Sequence, residues 1–101
     1  MRTSEDVAAL RHALADGTID GVAMDHAPHP DEDKDCEWDV AASGVTGLET
    51  ALSVIQETMV ETGLIDWATV AKRMSTLPAS IGRVRGYSKP LCVGESANLV
   101  L

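Results

Sequence analysis

An aspartate and two histidines crowd the stretch VAMDHAPHP, residues 22–30, where a short apolar run ends. A carboxylate in such a place can bind a divalent metal through one oxygen. Its other oxygen can accept a proton from water that the metal has made acidic near neutral pH. Imidazole titrates near pH 7, so His26 and His29 suit metal ligation, proton donation or anion binding. A structural reading stands beside this one, with Asp25 capping a turn and both histidines bonding backbone. The D-H-x-x-H spacing alone does not choose between them. Pro28 and Pro30 stiffen the loop that carries His29, which leans toward chemistry.

Three further stretches bear on chemistry. In ASGVTGLET, residues 42–50, Ser43, Gly44 and Gly47 precede a helical pattern. Free backbone N–H groups there would suit an anion such as a carboxylate, and a simple tight turn into the helix fits equally. No P-loop is present, because the Lys and the G-K-[ST] ending are missing. The acidic run DEDKDCEWD, residues 31–39, places Asp31, Asp33 and Asp35 at alternating positions. A calcium loop would then need Gly at its sixth position and Glu at its twelfth, where Cys36 and Ala42 stand. A solvated, mobile loop accounts for the run instead. The negative charge around Cys36 works against a thiolate ligand, and Cys92 reads as a small core residue. Trp38 and Trp67 read as packing anchors, and His12 as a bland residue on a helix flank.

The elements that must position these groups follow from pattern. Residues 3–16 read as a helix capped by Thr3, with Asp6 completing a capping box, Val7, Leu10 and Leu14 on one stripe, and Gly17 as the stop. Ile19 to Met24 reads as a short strand buried on both faces. Residues 25–39 form a loop. A second helix begins near Thr46, with Leu48, Leu52, Ile55 and Met59 on one face and Gly63 behind it. A third follows Asp66 as N-cap and carries Trp67, Val70, Ala71 and Met74. Pro78 to Val84 reads as a helical turn, and the tail reads as β-type sequence around a turn at Gly94. Helix, strand, long loop and helix in that order match one unit of an α/β barrel or layered sheet, whose functional loops leave the carboxyl ends of the strands. Asp25 lies at such an end.

Composition narrows the partners. A formal net charge of −8 argues against nucleic acid and against an anionic membrane, since both demand a basic face. Two cysteines are too few for a disulfide framework and fit reduced thiols in the cytoplasm. No signal peptide and no bilayer-length apolar run is visible. A chain of 101 residues is one small domain or part of a larger one.

Taken together, MDHAPH, DK, GLETAL and the closing GESANLVL resemble the C-terminal part of bacterial dihydroorotases, members of the amidohydrolase superfamily. CEW followed by LETALSVIQETMV looks most like the actinobacterial branch. The resemblance implies an α/β fold: residues 1–87 as the C-terminal piece of a metal-bearing (β/α)8 TIM-type barrel, and 88–101 as the start of a flanking β-domain. It implies that Asp25 matches the aspartate ending the eighth strand, which ligates zinc and shuttles the proton. His29, with Ser43 and Gly44 of the glycine-containing loop, matches the group that holds the substrate carboxylate. His26 matches a motif member behind the ligands. Hydantoinase- and allantoinase-type amidohydrolases share the aspartate but generally not the second histidine, so His29 points to dihydroorotate.

Met24 departs from the usual Thr and Ser43 from the usual Pro; either could alter substrate placement. The H-x-H metal pair, its neighbouring Arg and Asn, and the later histidine ligands are absent from this chain. The expectation is therefore a fragment, inactive alone, whose intact enzyme hydrolyses L-dihydroorotate reversibly to N-carbamoyl-L-aspartate with one or two zinc ions. A metal-free homologue that binds aspartate transcarbamoylase, a homodimer and a small independent binding module stay open as alternatives.

Overall fold

The computed structural model describes residues 3–86, 89 and 91–98. Five α-helical stretches appear among them: α1 (Ser4–Asp16), α2 (Asp31–Lys34), α3 (Ala51–Ile55), α4 (Trp67–Ala71) and α5 (Leu77–Ile81). Helix α3 widens without a break into a π-helical turn, Gln56–Val60, and a second π turn, Lys72–Thr76, joins α4 to α5.

Helix α1 forms as its sequence requires. The Thr3 hydroxyl accepts from the Asp6 N–H, and the Asp6 carboxylate accepts from the Thr3 N–H, each at 3.1 Å. Two of the N–H groups that a helix start leaves orphaned are thereby satisfied. Gly17 ends the helix in the left-handed conformation, its N–H bonded to the Ala13 carbonyl. At α4 the Asp66 carboxylate accepts from the Thr69 N–H at 2.8 Å. That bonding, from the side chain and backbone of Thr69, holds the Asp66 carboxyl below its ordinary range.

The core sits where α1, the first π turn and α4 meet. Leu14, Met59, Ile65 and Val70 are buried there, with Ile19, Val22, Ile55, Leu64 and Met74 packed around them. After the turn at Gly63 the chain closes back on one residue, since Leu64 and Ile65 both donate to the Met59 carbonyl. Arg73, from the second π turn, is also buried, and its Nε finds no partner among the described residues. Its guanidinium lies so near Gly17 that a Cβ there would come within 2.9 Å of a terminal nitrogen. A cation beside the carbonyl end of α1 is electrostatically favourable. It also helps to hold Asp16 below its ordinary range, after the larger effect of hydrogen bonds from Thr18.

Several expectations change. Residues 19–24 run without helical or strand pairing: Val22 donates to the Arg73 carbonyl at 3.2 Å, and no second extended segment lies alongside among the described residues. A strand is made by its neighbours' hydrogen bonds as much as by its own sequence, and those neighbours are not here. The second helix starts at Ala51, later than Thr46, because a hydrogen-bonded turn at Gly47–Thr50 leads into it. Of its predicted face, Met59 is buried while Leu48 and Leu52 are exposed. The predicted turn at Pro78 is helix α5, continuous with the third helix. Gly94 does occupy a turn, with no strand beside it among the described residues. The β-type residues 99–101 and part of the 87–90 boundary lie outside the described residues.

Candidate functional site

Asp25, His26 and His29 sit on the exposed continuation of the 19–24 segment. Asp25 accepts no hydrogen bond from any described residue, so its carboxylate is free to act. His26 is engaged instead. Its Nδ1 accepts from the N–H groups of Gly47 and Leu48 at 3.1 and 3.2 Å. An imidazole nitrogen that accepts must carry no proton, so a neutral ring keeps its proton on Nε2. These bonds fasten the Asp25 segment to the turn before α3. Gly47 is needed there by close approach, since a Cβ would come within 3.2 Å of the Asp25 carbonyl oxygen.

A second tie brings His29 to the glycine loop. Ala27 donates to the Val45 carbonyl at 3.0 Å. Gly44 has φ 127°, and a Cβ on it would lie 2.8 Å from both the Cβ and the carbonyl oxygen of Ala27, and 3.3 Å from His29 Nε2. Only glycine combines that backbone conformation with that proximity. The N–H groups of Ser43, Gly44, Val45 and Thr46 donate to no described residue. Unsatisfied donors beside an imidazole make a site suited to an anionic oxygen.

The structure thus brings His29 close to Gly44, fifteen positions on, and Asp25 and His26 to Gly47, just over twenty positions on. Part of the anion-binding expectation is corrected: the N–H groups of Gly47 and Leu48 are already taken by His26, so any anion falls to residues 43–46. No group of three or more His, Cys, Asp or Glu side chains able to hold a metal ion is present among the described residues. Asp25 supplies one donor, and a complete zinc site requires three or four. His12 is exposed on α1, away from these residues.

No family model matches the chain. Curated relatives do. All 101 residues align with the dihydroorotase of Streptomyces coelicolor at 68% identity, covering 24% of that protein. The dihydroorotases of Leifsonia xyli and Mycobacterium tuberculosis align over the same 101 residues at 58% and 50% identity. The chain is thus similar over its whole length to dihydroorotases. It spans about a quarter of the length of the curated relatives it matches.

The acidic run is more ordered than a mobile loop. Helix α2 occupies Asp31–Lys34, Ala42 donates to the Asp33 carbonyl at 2.9 Å, and the Lys34 ammonium reaches the backbone of the glycine loop. Lys34 stood in the sequence as part of the DK motif and drew no role, because nothing local distinguishes a lysine that solvates from one that bridges. Trp38 is 95% exposed and anchors nothing among the described residues; Trp67 is half exposed. Cys36 and Cys92 are free and exposed, so Cys92 is no core residue. No helix among the described residues is long and apolar enough to cross a membrane.

Proposed function

We propose that this segment supplies the proton-transferring carboxylate and the substrate-carboxylate clamp of a dihydroorotase, which interconverts L-dihydroorotate and N-carbamoyl-L-aspartate in the cytoplasm. The observation that carries the reading is the meeting of His29 with a glycine loop whose N–H groups are unsatisfied, in a chain 68% identical to a dihydroorotase. Asp25 would take a proton from the attacking water and return it to the ring nitrogen as the amide opens, acting as base and then acid. The imidazole of His29 and the N–H groups of Ser43 and Gly44 would hold the substrate carboxylate, orienting the ring so that its amide faces Asp25.

Zinc belongs to this reading as a group that the segment cannot hold by itself. Among the described residues Asp25 is one donor without companions, and His26 spends Nδ1 on backbone. The remaining ligands would come from outside these 101 residues. The same holds for the barrel. Residues 19–24 would be its last strand, 1–87 its closing portion and 88–101 the beginning of a small β-domain. Support lies in the backbone groups of Asp20, Gly21, Ala23 and Met24, whose N–H donors bond to no described residue and are ready for a ladder.

The test is made in a full-length protein containing this segment. It should hydrolyse dihydroorotate. Asp25→Asn should lower kcat about 100-fold or more, because the amide keeps the shape but cannot take the proton. His29→Ala should raise KM and slow turnover together. An Asp25→Asn enzyme within a few-fold of its parent would remove Asp25 from the mechanism.

A further inference from the structure

Lys34 is the one cation in a run that holds six carboxylates between Asp31 and Asp39. Ordinary solvation would leave its ammonium pairing loosely with those neighbours. Instead it forms no ion pair among the described residues. Its Nζ donates to the carbonyl oxygens of Ala42 and Gly44, both at 2.6 Å. Two short charge-assisted bonds from one ammonium to alternate carbonyls make a clip. Its end residues lie eight and ten positions from Lys34 in sequence.

The clip has a consequence for the other side of the loop. No cis peptide bond occurs among the described residues. In a trans peptide the carbonyl and the N–H point in opposite senses. Turning the Ala42 and Gly44 carbonyls toward Lys34 therefore turns the N–H groups of Ser43 and Val45 away from it. Those donors, which bond to no described residue, flank Gly44, the residue that approaches His29. Neighbouring carbonyls would repel a bound carboxylate, and the ammonium occupies both of them.

We propose that Lys34 is a positioning residue: it touches no substrate, and it presets the peptide planes of residues 42–45 so that their N–H groups can receive a carboxylate. This rests on the dihydroorotase reading for the identity of that carboxylate. The peptide-plane geometry is independent of it.

The experiment compares Lys34→Met and Lys34→Arg in the full-length protein, by dihydroorotate kinetics and by amide hydrogen exchange at Ala27 and Ala42. Methionine keeps most of the stem and loses the donors; arginine can donate to both carbonyls through its fork. Lys34→Met should raise KM about 10-fold, in line with a lost charge-assisted contact, and leave kcat within about 3-fold. Exchange at Ala42 and Ala27, whose N–H groups donate to the Asp33 and Val45 carbonyls, should quicken as the loop loosens, and Lys34→Arg should restore most of both properties. Unchanged KM or unchanged exchange overturns the clip. So does a loss shared equally by KM, kcat and melting temperature that arginine does not repair, since that describes general structural damage. If the parent does not turn over dihydroorotate, the functional reading falls. Faster exchange in Lys34→Met would then keep the clip and reject only its link to this substrate.

Discussion

The corner between α1, the first π turn and α4 and the stretch that carries Asp25 and His29 are built on opposite terms. In the corner, capped helix starts, a glycine stop and four buried apolar side chains satisfy one another within the chain. Around Asp25 the titratable groups are exposed, and backbone donors on both sides of it bond to no described residue. Total exposed surface tells the same story. The chain exposes 8176 Å², whereas a compact domain of this mass exposes about 5,500 Å². Its radius of gyration is 16.7 Å, against about 13 Å for a compact domain of this length. The corner buries its own apolar side chains, while the backbone donors of the Asp25 stretch meet few partners among the described residues.

That contrast can be broken at its widest point by asking the chain to work alone. The 101-residue chain should show no turnover of dihydroorotate and only weak zinc binding by titration. Its apolar groove of about 410 Å³, lined by Leu10, Ile19, Val22 and Val54 among others, should drive association visible by light scattering. Turnover by a contaminant-free preparation would show that the site is complete after all.

The two regions should also separate by mutation in the full-length protein. Gly44→Ala puts a Cβ 2.8 Å from Ala27 and demands a strained φ. It should cut kcat/KM about 100-fold, the scale of a misplaced binding group, with little change in melting temperature. Met59→Ala should do the reverse. Emptying the most buried side chain should cost about 2–3 kcal/mol in denaturant unfolding, with kinetics at low temperature nearly unchanged. Equal loss of activity and stability in both variants would mean the regions act as one.

The smallest effect concerns the caps. Asp66 titrates below its ordinary value of 3.8 in the folded chain. A depressed carboxylate contributes stability that is present above its unfolded pKa and lost as pH falls through the folded one. Asp66→Ala should therefore lower the melting temperature slightly at pH 7, and the gap from the parent should narrow as pH falls below 3.8. A gap that persists in acid would assign the effect to something other than the cap's charge.

Much of this was written locally. Thr3 with Asp6, Gly17 and Asp66 set helix ends through bonds that span three or four residues, so their sequence spacing suffices to read them. Asp25 and His29 stood out as candidates for a similar reason: titratable side chains next to stiffening prolines are visible in a short window. The trytophan at position 38 misled, because a large apolar side chain predicts burial only where something exists to cover it.

What the sequence by itself determined is the two ends of α1, the start of α4, the candidate residues for chemistry and their likeness to dihydroorotases. Tertiary structure alone decided which donors those residues meet. His26 closing on Gly47 and Leu48, Lys34 reaching Ala42 and Gly44, and Arg73 arriving at the carbonyl end of α1 each join positions between eight and fifty-six residues apart. The physical reason is that a hydrogen bond or a close contact depends on where two chain segments come together in space. Residue type fixes what a group can donate or accept, and only the path of the chain between them fixes whether its partner is there.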